Sequence, residues 1–189
     1  MKSIYIVLSL VLFVNSAHLL SAIEDFKITS NGLNGVAHSG DPVAIDYSKK
    51  KATILVFLSS ICPCSDSHTS IVKKLAAKNP AFQFVGIHSN HNENKARALA
   101  YFKGKELGFP VIHDSESIIG KSLGAVKTPH IFIKDSKGET IYNGSVTDSS
   151  NAKTAKIQHL ANALNQIKNG QKPAEPERKT LGCYISMKE

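Results

Sequence analysis

Apolar and polar residues fall into blocks along this chain, and block length sorts them into elements. The first block follows Lys2, an apolar run from Ile4 to Val14 interrupted only by Ser9. A bilayer span takes about 20 apolar residues, so this run is too short. A charged start, a short apolar centre and the small-residue exit "NSAHLLSA" are the pattern of a secretory leader. Residues 1–22 are therefore expected to be a signal peptide, cleaved after Ala17 or Ala22. The alternative is a retained anchor, with membrane contact through that segment alone.

Beyond it, residues 23–47 carry short strand-like pieces interrupted by "NGLNG" and "SGDP", which read as turns. Thr53 to Leu58 is a continuous β-branched and apolar run, the signature of a strand covered on both faces. Pro63 to Lys78 predicts a helix with Ile71, Val72, Leu75 and Ala76 on one side. A second buried strand, "AFQFVGIHS", and a second helix, "NENKARALAYFKGKEL", follow. "FPVIHD" reads as a brief strand and "ESIIGKSLG" as a short helix. "PHIFIKDSKGETIYNGSV" alternates about "DSKG" and predicts a hairpin. Thr154 to Lys168 predicts a final amphipathic helix, ended by Gly170. Strands alternating with helices and closed by a hairpin define an α/β sandwich, a central mixed sheet with a parallel centre and an antiparallel edge, flanked by helices. The expected domain spans 23–170. Residues 171–189 form a polar, proline-bearing tail, flexible and long enough to reach back across the domain, with an apolar island around Cys183.

Composition narrows the function. Lys and Arg outnumber Asp and Glu 23 to 15, but the excess is scattered lysine, with Arg97 and Arg178 the two arginines. Without a basic stripe interleaved with aromatics, nucleic-acid binding is not expected. There is no phosphate-binding glycine loop and no dinucleotide fingerprint. The leader implies export to a periplasmic or extracellular compartment, where disulfides persist. Three cysteines are an odd number, so one is free, paired between chains or cycling between partners.

The chemistry concentrates in "SSICPCSDSH", residues 59–68. Cys62 follows the buried strand and precedes Pro63, and proline favours the first helical position. Cys62 is then the expected N-cap, where free amides and the positive helix end favour the thiolate. The thiolate attacks disulfides or peroxides, so Cys62 is the candidate nucleophile. Cys64 shares helical spacing with His68, Ile71 and Leu75 and is expected to be the shielded thiol, with Cys62 the exposed one. A direct Cys62–Cys64 bond would close a small, strained ring. Cys183 is the other candidate partner. Its bridge to either thiol would close a loop of roughly 120 residues, worth up to about 4–5 kcal/mol if it serves as a staple.

Strand–"FLSSIC"–helix, then "KTPHIFI", a hairpin and a terminal helix resembles the thioredoxin fold in its redoxin, or peroxiredoxin-like, branch. The resemblance spans Ile23 to Lys168. It places Cys62 at the nucleophilic cysteine and Thr128–Pro129 at the cis-proline turn that shapes the substrate groove. It implies an exported thiol–disulfide oxidoreductase that needs no cofactor and acts on protein or small-molecule disulfides and thiols, with Cys64 or Cys183 resolving. "LGCYI" also resembles a C-terminal glycine–cysteine element of some extracytoplasmic redoxins. Departures are visible: C-x-C replaces C-x-x-C, Ser65 stands where a second cysteine would, and no tryptophan is present. Ser59 matches the Thr or Ser of peroxiredoxins, but Leu55 stands where their proline would and the activating arginine has no counterpart. These departures disfavour the alternative of a thiol peroxidase acting on peroxide. A third alternative is a copper-binding or non-catalytic redoxin holding the ion with Cys62, Cys64 and His68 or His130, since thiolate and imidazole suit copper. His88, His91, Glu93 and His113 read as polar strand ends.

Overall fold

The computed structural model describes residues 27–189; the expected leader lies outside them. Three short strands open the chain, β1 (Lys27–Ile28), β2 (Gly32–Val36) and β3 (Pro42–Asp46), which form an antiparallel ribbon. The expected turn at "NGLNG" is instead β2. Its Gly32 backbone lies so close to the Ile45 carbonyl that any Cβ would collide with it, so the glycine serves strand approach rather than reversal.

The main sheet contains β4 (Ala52–Phe57), β5 (Gln83–His88), β6 (Val111–His113), β8 (His130–Asp135) and β9 (Thr140–Gly144) in the order β6-β5-β4-β8-β9. β4 runs parallel to β5, and β5 to β6, whereas β8 is antiparallel to both β4 and β9. This is the expected parallel centre with an antiparallel edge. Every residue of β4 is buried, because both faces are covered. Ile54 and Val56 join a core with Val72, Ile131, Ile133, Leu160, Leu164 and Ile167. Leu55 and Phe57 point the other way, into a core with Leu33, Ile45, Val85, Ile87, Ile112, Ile119 and Phe132. Each such side chain contributes about 1.5–3 kcal/mol, so the strand that carries the site is the most firmly held.

Helix α1 (Pro63–Lys78) leaves β4 directly, α2 (Lys95–Lys105) joins β5 to β6, α3 (Ile118–Leu123) follows β6, and α4 (His159–Lys168) closes the domain. The last helix starts five residues later than the sequence pattern predicts. Asp148 accepts the Lys156 and Ile157 amides, holding that segment extended and leaving Ile157 exposed. Both sheet margins are covered. His38 N–H donates to the Val111 carbonyl and Ala37 bridges Ile112 at the β6 margin; Asn143 on β9 exchanges backbone hydrogen bonds with Pro176 and Arg178. Among the described residues no helix is long and apolar enough to cross a membrane.

Candidate active site

The tail does not float free. Residues Cys183–Tyr184 form β10, antiparallel to β7 (Lys127–Thr128), with Cys183 opposite Thr128. The Thr128–Pro129 bond is cis, as the resemblance implied. Cys62 is the N-cap of α1, with Pro63 at N1, and the Ser65 amide donates to its sulfur at 3.4 Å. The Cys62 thiol also lies 3.2 Å from the Thr128 carbonyl. The sulfurs of Cys62, Cys64 and Cys183 lie within 4.8 Å of one another, and all three cysteines are free thiols.

The expected exposures are reversed. Cys62 is 3 % exposed, whereas Cys64 and Cys183 are half-buried. The N-cap backbone turns Cys62 inward against β7, and β10 lies alongside. The tail, expected to be flexible, is docked as β10 against β7 beside Cys62.

The three thiols have different acidities. Burial pushes the Cys62 thiol up, but hydrogen bonds from the Cys183 side chain and the Ser65 amide help to outweigh it and hold Cys62 below the ordinary thiol range. Cys64 is raised by burial and then by the charge on Cys62. Cys183 is raised to about 12, again by burial first and then by its hydrogen bond to Cys62 and the neighbouring thiolate charge. Of the three sulfurs, Cys62 therefore gives up its proton most readily and its neighbours hold theirs more tightly.

The loop before Cys62 is held from below. Ser59 Oγ accepts the Cys62 amide at 3.0 Å and the Ile61 amide at 3.2 Å, and donates to Glu93 Oε1 at 2.5 Å. The other Glu93 oxygen accepts the Ser60 amide at 2.8 Å and the Ser60 hydroxyl. Ser65, in place of a second helix cysteine, accepts the Ser59 amide at 3.1 Å. Glu93 Oε2 lies 3.0 Å from His88 Nε2, and His88 Nδ1 lies 3.0 Å from His38 Nε2. With His38 donating from its Nε2, the His88 Nδ1 accepts. His38 stays neutral, lowered to about 3 by burial and then by His88 and His113. Burial pushes Glu93 up, but hydrogen bonds from His88, Ser59 and Ser60 prevail and hold it at about 2.

Thus His88 and Glu93, read from sequence as a polar strand end, are buried beneath the site, and His113 packs tilted against His38 with ring centroids 4.7 Å apart. The signal available in sequence was the coincidence of a carboxylate after β5 with adjacent serines before Cys62. It has no local periodicity to mark it.

The copper set is not assembled. His68 spends Nδ1 on the Cys64 carbonyl at 2.8 Å and Nε2 on Thr147 Oγ1 at 2.8 Å. His130 Nδ1 accepts the Val126 amide at 3.3 Å and its Nε2 meets Asn143 Oδ1 at 2.6 Å. Both rings are held by protein partners, and neither joins Cys62 and Cys64. Among the described residues, the three sulfurs alone are close enough together to share a soft ion.

A mixed sheet that delivers a helix-capping thiol opposite a cis-proline turn defines a thioredoxin-fold thiol protein. The Redoxin family profile matches residues 21–163, and the chain belongs to the Redoxin family. No curated protein sequence matches it. Among solved structures, a hypothetical protein from Sinorhizobium meliloti is 22% identical with a TM-score of 0.75, over 86% of this chain and 96% of that one. An uncharacterized conserved protein from Geobacillus kaustophilus is 21% identical with a TM-score of 0.76, over 87% and 94%. A secreted disulfide oxidoreductase of Mycobacterium tuberculosis is 21% identical with a TM-score of 0.51, over 57% and 78%. At these identities the likeness is one of fold.

Proposed function

We propose that this protein is an exported thiol–disulfide oxidoreductase in which Cys62 attacks and Cys183 resolves. The observation that carries the reading is a lowered Cys62 thiol whose sulfur lies within 4.8 Å of two raised ones. The Cys62 thiolate attacks a substrate disulfide, forming a Cys62–substrate mixed disulfide and releasing one substrate thiolate, which takes up a proton. Once Cys62 is bonded, its hydrogen bond and charge no longer raise Cys183, and burial alone remains to do so. Cys183 then loses its proton and attacks the Cys62 sulfur, releasing the second substrate thiol and leaving a Cys62–Cys183 disulfide. The substrate gains two electrons and the protein pair loses two. A dithiol partner restores the pair. The electrons stay on sulfur throughout, so the step calls on no cofactor.

Cys183 suits resolution better than Cys64. The β7–β10 pairing holds the Cys183 sulfur within 4.8 Å of Cys62, whereas a Cys62–Cys64 ring holds a single intervening residue. Peroxide chemistry is less well supported, since neither arginine is among the partners of Cys62: Arg97 is exposed and Arg178 pairs with Glu175. Export is supported by the leader pattern and by the secreted character of one fold neighbour.

Cys62→Ser should abolish reduction of a small aromatic disulfide while leaving the circular dichroism spectrum unchanged; retained turnover would remove the reading. Cys183→Ser should accumulate mixed disulfides through Cys62, detectable by intact-mass spectrometry. Loss of thermal stability without such adducts would make Cys183 a staple.

A further inference from the structure

We propose that the groove beside Cys62 selects extended protein segments of the form Gly-Cys-x-aliphatic-x-apolar, and that residues 182–187 occupy it as a tethered example of that substrate. The proposal rests on the reading of Cys62 as the attacking sulfur and adds the class of partner it attacks.

The tail lies in the groove as a strand. Cys183 and Tyr184 pair with Thr128 and Lys127, and the Ile185 amide donates to the Val126 carbonyl at 3.0 Å. The pairing continues past the sheet. The Ser186 amide donates to Asn90 Oδ1 at 3.0 Å, and the Ser186 carbonyl accepts the His91 amide at 2.7 Å. Main-chain bonds of this kind hold an extended peptide in register without reading its sequence.

Side chains alternate as a strand requires. Cys183 turns toward Cys62, Tyr184 points out and is 78% exposed, and Ile185 and Met187 pack on the lower core. The Met187 methyl lies over Gly120, where a Cβ would stand 2.9 Å from it; a larger residue at 120 would fill that recess. Beyond it, the Lys188 ammonium meets both oxygens of Glu116, at 2.6 and 2.8 Å.

The residue before the cysteine is the most restricted. At Gly182 an added Cβ would run into the Thr128 carbonyl oxygen, the atom that also faces the Cys62 thiol. Register and selection are therefore set at one point: the carbonyl that aligns the incoming cysteine with Cys62 excludes every residue but glycine ahead of it. A partner segment enters only where the tail has left, so the tail is also a competitor, and Cys183 resolves the mixed disulfide as the tail returns and displaces the partner strand.

The test uses the full-length chain carrying Gly182→Val, which forces the tail off Thr128. Release is read as new trypsin cleavage at Arg178 and Lys179. A labelled peptide LGSYISMK, its cysteine replaced by serine so that only binding is read, is titrated by fluorescence anisotropy up to about 1 mM, the effective concentration of a tethered segment. It should bind the variant and not the wild type. The peptide with valine in place of glycine, and that with aspartate in place of isoleucine, should each bind at least about ten-fold more weakly. Equal binding of the peptides, no binding to the trypsin-sensitive variant, or a tail still protected in Gly182→Val would each overturn the proposal. Ile185→Asp opens the groove by a different route and stands in if Gly182→Val fails to fold. Cys62→Ser leaves the binding comparison readable, so loss of the redox reading and loss of peptide selection are separate results.

Discussion

Replacing Glu93 with glutamine keeps the shape beneath the active-site loop and removes the charge. The carboxylate is held at about 2, against an ordinary glutamate value of about 4.5, a gap of about 2.5 on the pH scale. At about 1.4 kcal/mol per unit, its ionised form adds about 3 kcal/mol to neutral-pH stability. Counting bonds gives a similar figure: charge-assisted hydrogen bonds contribute about 1.5–3 kcal/mol each, offset by desolvation of a residue 8% exposed. The sign follows from the lowered folded-state value. The contribution is complete above pH 4.5 and disappears as pH falls from 4.5 to 2. Glu93→Gln should therefore lose about 2–3 kcal/mol in urea unfolding at pH 7, and about 5–10 °C in Tm for a domain of this size. The deficit should shrink between pH 4.5 and pH 2. His38, held neutral by burial, lowers acid stability in both proteins and largely cancels in the difference. A deficit below about 0.5 kcal/mol at pH 7, or one unchanged down to pH 2.5, would refute the account of Glu93 as the charged clamp of the loop.

The other expectations are simpler. Gly32→Ala drives a Cβ into the Ile45 carbonyl and should cost about 2–3 kcal/mol, read as an earlier urea midpoint; a neutral result would mean that the β2–β3 ribbon yields easily. His68→Ala leaves the Thr147 hydroxyl short of its imidazole partner and should destabilise by about 1–3 kcal/mol without altering the stoichiometry of soft-metal binding to the reduced protein. A changed stoichiometry would restore His68 as a ligand. For the two thiols nearest each other in sequence, iodoacetamide at pH 7 should modify Cys62 ahead of Cys64 once the tail is released, because the Ser65 amide and the helix N-terminus still favour the Cys62 thiolate after the Cys183 hydrogen bond is gone. Preferential labelling of Cys64, located by peptide mass mapping, would contradict that order.

How legible each feature was in the sequence depends on how local its cause is. β4 and α1 were readable because an apolar run followed by Cys-Pro states both the strand and the cap within a dozen residues. The mixed sheet and the hairpin about "DSKG" followed from the same local periodicities. The start of α4 was not legible, since it is delayed by Asp148, a residue outside the helical pattern. "NGLNG" misled because a glycine that permits close strand approach and one that permits a turn look alike. In the site, Cys62, Thr128 and Pro129 stood out, but their exposures depend on a strand supplied more than 50 residues later. Glu93 was hidden for the same reason: its partners Ser59, Ser60 and His88 meet only after β4 and β5 pair.

The bonds that finish the main sheet have one more consequence. With the ribbon capping β6 and residues 176–178 capping β9, neither outer strand offers an open ladder of amides and carbonyls to a second molecule. Growth of the main sheet by edge-to-edge addition is thereby opposed, so copies of this protein that meet at high concentration are protected from stacking through that sheet's backbone.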